Sequence, residues 1–274
     1  MQLITTTIII TIIITMITSI TITRLIRTPS TRMAPKVRAK PKPDHQRPTP
    51  DVPALATIDK GPPLRPYETN PQAIYAQSFA TVRAEARLER FAPAMQPLIT
   101  RLIHACGMVE VADRLAFSPE AAAAGHAALK GGAPILCDCE MVGAGVIRRY
   151  LPADNKVIVT LNHASVPEHA AQINNTRSAA AVELWRDHIE GAVVAIGNAP
   201  TALFHLLELL DDGWPKPAVI LGFPVGVVGA AESKAELAAH PRGCEFVALR
   251  GRRGGSAMAS AAVNALAAGL PEDD

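Results

Sequence analysis

Residues 101–108 read RLIHACGM, a histidine set in an apolar run and followed at once by cysteine and glycine. On a helical wheel at roughly 100° per residue, Met95, Leu98, Ile99, Leu102, Ile103 and Cys106 form one apolar stripe. His104 lies roughly opposite that stripe, beside Thr100 and Arg101, so it is not a core histidine. Gly107 ends the predicted helix just behind it, and a cation is favoured on a last helical turn. The imidazole pKa is therefore expected near or above about 6.5, within reach of acid–base work. No second histidine or carboxylate stands at ligand spacing, which argues against a metal site here. The wheel leaves two readings of His104 level, an idle exposed ring and a catalytic one.

Arginines supply the second candidate chemistry. In NNTRSAAAVELW, Asn174 or Asn175 is placed to cap a helix and Arg177 falls in its first turn. A cation there opposes the helix dipole, which fits an arginine facing an anion drawn to the same helix end; a solvated surface arginine is the plain alternative. RGRRGGSAM gathers Arg250, Arg252 and Arg253 ahead of Gly254, Gly255 and Ser256. The four cysteines, Cys106, Cys137, Cys139 and Cys244, form no CxxC pair and read as small core residues in a reducing compartment. GxxxxGK[ST] and GxSxG are both absent, and Gly222, Gly226 and Gly229 of GFPVGVVGA have the wrong spacing for a dinucleotide fingerprint.

These residues must be positioned by the elements around them. Helices are predicted over 71–90 and 93–106, then a strand within 109–117 and a helix opened by a Ser118 cap with Pro119 in its first turn. Strands follow at 133–139 and 156–161, and a helix at 176–191. Strands at 192–200, 217–226 and 244–251 then alternate with helices at 201–213, 230–240 and 255–269. Strand, glycine-bearing turn and helix in repetition give an α/β fold, a three-layer α/β/α arrangement with a mainly parallel sheet plus N-terminal helices. Ligands in such folds bind at the carboxyl ends of strands. Those exits are DCEMVGAG, LNHASVPEH, IGNAPTA, GFPVGVVGAAES and RGRRGGSAM, rich in small residues that let a bulky ligand approach the backbone. Helix N-termini following them suit a ligand with several carboxylates or phosphates.

Composition agrees. Of 274 residues 49% are hydrophobic but only 4% aromatic, so Ala, Val, Ile and Leu must fill the core. The formal charge of +2 conceals about +7 in residues 1–66 and about −5 in the remainder, which excludes a broad nucleic-acid footprint on the body. Residues 1–23 are an uncharged Ile/Thr run, near the ~20 residues of a membrane span but without signal-peptide grammar. They read as a low-complexity extension, with Met33 as an alternative start, ahead of a membrane anchor. Residues 29–66 hold ten of the 23 prolines and read as a solvated basic linker. The expected division is a disordered 1–66 and a folded domain at 67–270.

The strings IYAQSFATVRAEA, LIHACGMVEVA, GAPILCDCEMV, TRSAAAVELW, VVAIGNAPTALF, GFPVGVVGAAESK and RGRRGGSAMA resemble the precorrin-8X methylmutase family over about 67–268. The resemblance implies a cytoplasmic isomerase of cobalamin biosynthesis. It would move a methyl group from C-11 to C-12 of precorrin-8X to give hydrogenobyrinic acid, without a cofactor or metal, as a homo-oligomer, usually a dimer. It implies that His104 is the catalytic residue, a general acid, and that Arg177 binds a substrate carboxylate. Tyr75, Ser78, Thr176, Asn198, Gly222, Gly226, Arg253, Gly254, Gly255 and Ser256 complete the implied substrate site. A cobalt-precorrin-8 substrate, a non-catalytic corrinoid carrier and a nucleotide-binding α/β enzyme are the alternatives.

Overall fold

The computed structural model describes Arg65 and residues 67–268. The Ile/Thr run and nearly all of the Pro-rich linker lie outside the described residues. Among the described residues no helix is long and apolar enough to cross a membrane.

Six strands form one sheet in the order β1-β6-β5-β4-β2-β3. They are β1 (Leu115–Phe117), β2 (Ile135–Cys137), β3 (Val157–Val159), β4 (Val193–Ile196), β5 (Val219–Gly222) and β6 (Glu245–Leu249). All neighbours pair parallel except the edge strand β1, which runs antiparallel to β6 with Leu115 opposite Leu249. Strand residues alternate between two cores. Ile135, Cys137, Val193, Ala195, Val219 and Leu221 face one helical layer. Leu136, Val194, Ile196, Ile220 and Phe246 face the other, around Trp185. This is the three-layer α/β arrangement the alternating units predict.

The first layer holds α1 (Pro71–Ala86), α2 (Gln96–Cys106), α3 (Ala121–Lys130), α4 (Glu140–Gly145) and α9 (Ser256–Ala268). The remaining helices are α5 (Val166–Gln172), α6 (Arg177–Glu183), α7 (Pro200–Asp211) and α8 (Ala230–Ala239). Asn70 caps α1, its Oδ1 accepting from the N–H groups of Gln72 and Ala73 at 2.9 and 3.3 Å. Arg87, at φ +47°, ends α1 earlier than predicted. Gly107, at φ +68°, ends α2 by donating its N–H to Ile103 O at 2.7 Å.

Several expectations are corrected. Residues 109–114 form a 3₁₀ segment that buries Val111 and Ala112, so only 115–117 remain for the strand. The Ser118 hydroxyl does not cap α3; it accepts from Phe246 N–H at 2.9 Å and donates to Glu245. The helix predicted over 176–191 stops at Glu183, and i→i+3 turns at Trp185 and His188 fold Trp185 and Ile189 into the core. Thr176, not either asparagine, caps α6, its Oγ1 accepting from Ala179 N–H at 3.1 Å.

Candidate functional site

His104 sits on the last turn of α2 and is exposed, as the wheel predicts. Leu102 and Ile103 beside it are buried and hold the helix against the core. Across from it, α1 presents Tyr75, Ser78 and Phe79 at i, i+3 and i+4, one helical face. Phe79 is buried, and its ring centroid lies 5.1 Å from that of His104; the Tyr75 ring lies 5.6 Å away. Ser78 Oγ is 2.7 Å from His104 Nδ1. With Nδ1 engaged, Nε2 is the nitrogen left for a ligand.

The wheel misjudges the neighbours of His104. It puts Thr100 and Arg101 on the polar side with His104, yet both are buried. Thr100 donates to Gln96 O at 2.8 Å within its own helix. The Arg101 guanidinium packs against the rings of Phe79 and Tyr150, 6.0 and 5.4 Å from their centroids. Partial burial first, and the Arg101 charge second, hold the His104 pKa below its ordinary 6.5. This overturns the expectation of a value near or above 6.5: desolvation and a cation one turn away outweigh the helix end.

A cavity of about 650 Å³ opens beside His104, within the range of small-molecule sites. Tyr75, Arg101, His104, Met141, Gly255, Ser256 and Asn264 are among its lining residues. A second hollow of about 400 Å³, lined by Ser78, Glu85 and Val109 among others, also includes His104 in its lining.

The strand exits build the rest of the rim. Asp138, buried directly after β2, accepts from the N–H groups of Gly197, Asn198 and Ala199, each at 2.9 Å. Desolvation raises its pKa, opposed by those three bonds. A Cβ at Gly197 would lie 2.8 Å from Ser256 Cα, so this glycine lets the start of α9 rest on the exit of β4. The Asn198 side chain is exposed while its carbonyl accepts from Val225 N–H at 3.4 Å. Gly255, at φ +126°, donates its N–H to Phe223 O at 2.8 Å. Gly226, at φ +150°, donates to Arg252 O at 3.2 Å. A Cβ at Gly254 would strike Phe223 O and lie 2.6 Å from Pro224 O. Gly222 is buried in β5 against Leu237 and Leu203, where it serves packing.

The structure thus brings Tyr75, Ser78, His104, Gly255 and Ser256 together and gives the other expected residues different partners. Arg253 pairs with Glu110 at 2.7 Å, which holds the Glu110 carboxyl below its usual range. Arg177 Nη2 donates to Leu161 O at 3.2 Å and Asn162 Oδ1 at 3.3 Å, and it is not among the cavity's lining residues. Thr176 Oγ1 donates to Thr201 Oγ1 at 2.8 Å, tying α6 to α7. Among the described residues, no three His, Cys, Asp or Glu side chains gather as a metal site. Arg101, Met141 and Asp138 were missed in the sequence. Only Arg101 had a signal there, its i−3 relation to His104.

Residues 73–268 match the family described as precorrin-8X methylmutase. The chain is 65% identical over 201 residues to a precorrin-8X methylmutase of Pseudomonas aeruginosa, covering 73% of this chain and 97% of that protein. It is 58% identical to one from Sinorhizobium, with 73% and 96% covered. A cobalt-precorrin-8 methylmutase of Priestia megaterium is 34% identical, with 74% and 90% covered. Among solved structures, the precorrin-8X methyl mutase of Thermus thermophilus superposes with a TM-score of 0.63 at 36% identity, over 71% of this chain and 95% of that one.

Proposed function

The chain belongs to the precorrin-8X methylmutase family, and from that premise we propose how its residues carry out the isomerisation. The protein is an isomerase of cobalamin biosynthesis acting on precorrin-8X. The relatives at 65% and 58% identity carry the precorrin-8X name, whereas the relative at 34% carries the cobalt-precorrin-8 name, which favours the cobalt-free substrate.

Moving a methyl group from C-11 to C-12 of the ring adds and removes no atoms. The protein therefore has to hold the macrocycle and bias its electron distribution toward the product. His104 does this by donating a hydrogen bond from Nε2 to the ring system. Its lowered pKa favours the neutral imidazole at neutral pH, and in the tautomer in which the Ser78 hydroxyl donates to Nδ1 the single ring proton stands on Nε2. The proton is shared rather than surrendered, so the ring starts each turnover in the same state. This modifies the general-acid expectation. Tyr75 and Met141 offer apolar surface to a face of the macrocycle, while Gly255 and Ser256 let its rim approach the backbone. Arg177, near the α6 N-terminus, takes a peripheral carboxylate by exchanging its present carbonyl acceptors for it.

The observation that carries this reading is His104 on the cavity wall with its Nδ1 bonded to Ser78 behind it. The test is His104→Ala. It is expected to fold and to bind hydrogenobyrinic acid, and to lose at least about 100-fold in kcat, the scale of one donor aimed at developing charge. Near wild-type turnover by the purified variant would sink the assignment. A dimeric assembly and a cytoplasmic location complete the proposal. Sedimentation and fractionation of the native protein test them, and a monomer or a membrane-bound pool would contradict them.

A further inference from the structure

Lys234 of α8 is wholly buried, with an exposure of 0%, and it belongs to no side-chain ion pair among the described residues. Its Nζ donates to two backbone carbonyls, Pro224 O at 2.9 Å and Arg253 O at 2.5 Å. The first belongs to the exit of β5, the second to the exit of β6. The same two loops meet directly through the Gly255–Phe223 and Gly226–Arg252 bonds and the close approach of Gly254 to residues 223–224. Burying an ammonium is costly, and a methionine of similar length would fill the same space. The lysine supplies what an apolar residue lacks, donors for both of these carbonyls. Burial pushes its pKa down to about 8, so at neutral pH both bonds are charge-assisted.

We propose that Lys234 is a positioning residue for the methyl shift: its buried ammonium ties the β5 exit to the β6 exit and so sets where Gly255 and Ser256 stand in the cavity opposite His104. The inference rests on the reading of that cavity as the substrate site. Lys234 touches no lining surface of the cavity itself and acts only through the two loops.

The experiment measures precorrin-8X turnover and hydrogenobyrinic acid affinity for the wild-type protein, Lys234→Met, Lys234→Arg and Gly254→Ala, each checked for folding by circular dichroism. Lys234→Met is expected to raise KM and the product Kd on the order of tenfold, with a smaller change in kcat, because misplacing a binding rim weakens the fit before the chemistry. Lys234→Arg keeps charge and donors and is expected to recover part of the loss. If Lys234→Met does not fold, Gly254→Ala carries the test. It leaves the lysine in place, pushes the same loops apart, and is expected to show the same KM-weighted loss. Wild-type KM and product affinity in the folded variant, or a fall in kcat alone, would overturn the inference and leave the site reading standing. Absence of turnover by the wild-type protein would overturn the site reading, and this inference with it.

Discussion

The two walls of the His104 cavity are held in place by different physics. The α1–α2 wall is a packing device: Phe79, Leu102 and Ile103 are buried, and the His104 ring rides on the turn they anchor. The strand-exit wall is anchored by Phe223 and Met258 in the same core, but its loops are joined by polar groups. Its loops are set by backbone N–H and C=O groups that converge on two buried polar side chains, Asp138 at the exit of β4 and Lys234 at the exits of β5 and β6. The first wall should tolerate exchange among apolar residues of similar volume. The second depends on single atoms, because a buried polar group left without a partner bears its full desolvation cost.

Asp138→Ala should break the comparison most sharply. It removes the acceptors of three N–H groups at 197–199, one of them on a fully enclosed backbone. A loss of about 3 kcal/mol in urea unfolding is expected, given about 1–3 kcal/mol per orphaned group and partial rescue by water. Asp138→Asn, which keeps one acceptor oxygen, should fall between. A conservative change on the other wall, such as Leu102→Met, should cost less than about 1.5 kcal/mol. If the two cost the same, the walls do not differ in the way described.

That contrast also explains what was legible in the sequence. The helical wall follows from periodicity: the stripe through Leu98, Leu102 and Ile103 and the stop at Gly107 place His104 correctly. The alternating strands likewise give the parallel order of β2 to β6. The exit wall is written in isolated residues far apart in the chain. Asp138 looks like one polar residue between two cysteines, and nothing in its neighbourhood announces partners some 60 residues away. The wheel sets Arg101 off the apolar stripe because a wheel knows only its own helix, whereas Phe79 and Tyr150 arrive from elsewhere to pack on it. The short α4 and α5 escaped because glycine and histidine-rich exits carry no helical pattern over six or seven residues.

Ser78→Ala probes the helical wall without disturbing its packing. The hydroxyl is bonded to His104 Nδ1, and in the proposed tautomer it donates there, which leaves the ring proton on Nε2. Losing such an orienting partner should lower kcat about tenfold with little change in KM. The Lys234 variants should show the opposite split. Steady-state kinetics on both would therefore separate a wall that orients the chemistry from one that shapes the fit. A KM effect in Ser78→Ala as large as that in Lys234→Met would erase the distinction.

The smallest effect concerns proton equilibria on the same wall. Burial first, and the Arg101 charge one turn away second, disfavour the His104 imidazolium. In the folded protein the imidazole pKa therefore lies below its unfolded value near 6.5. Between the two values the unfolded chain binds more protons, so stability is full above about 6.5 and declines as pH falls through the folded pKa. Arg101→Met should raise the folded pKa toward the unfolded one, narrowing that window, since it removes the charge contribution but leaves the desolvation. Proton NMR titration of the His104 ring in both proteins measures it directly. An unchanged or lower pKa in Arg101→Met would mean that burial alone sets the imidazole, and that the arginine serves the cavity only through its stacking on Phe79 and Tyr150.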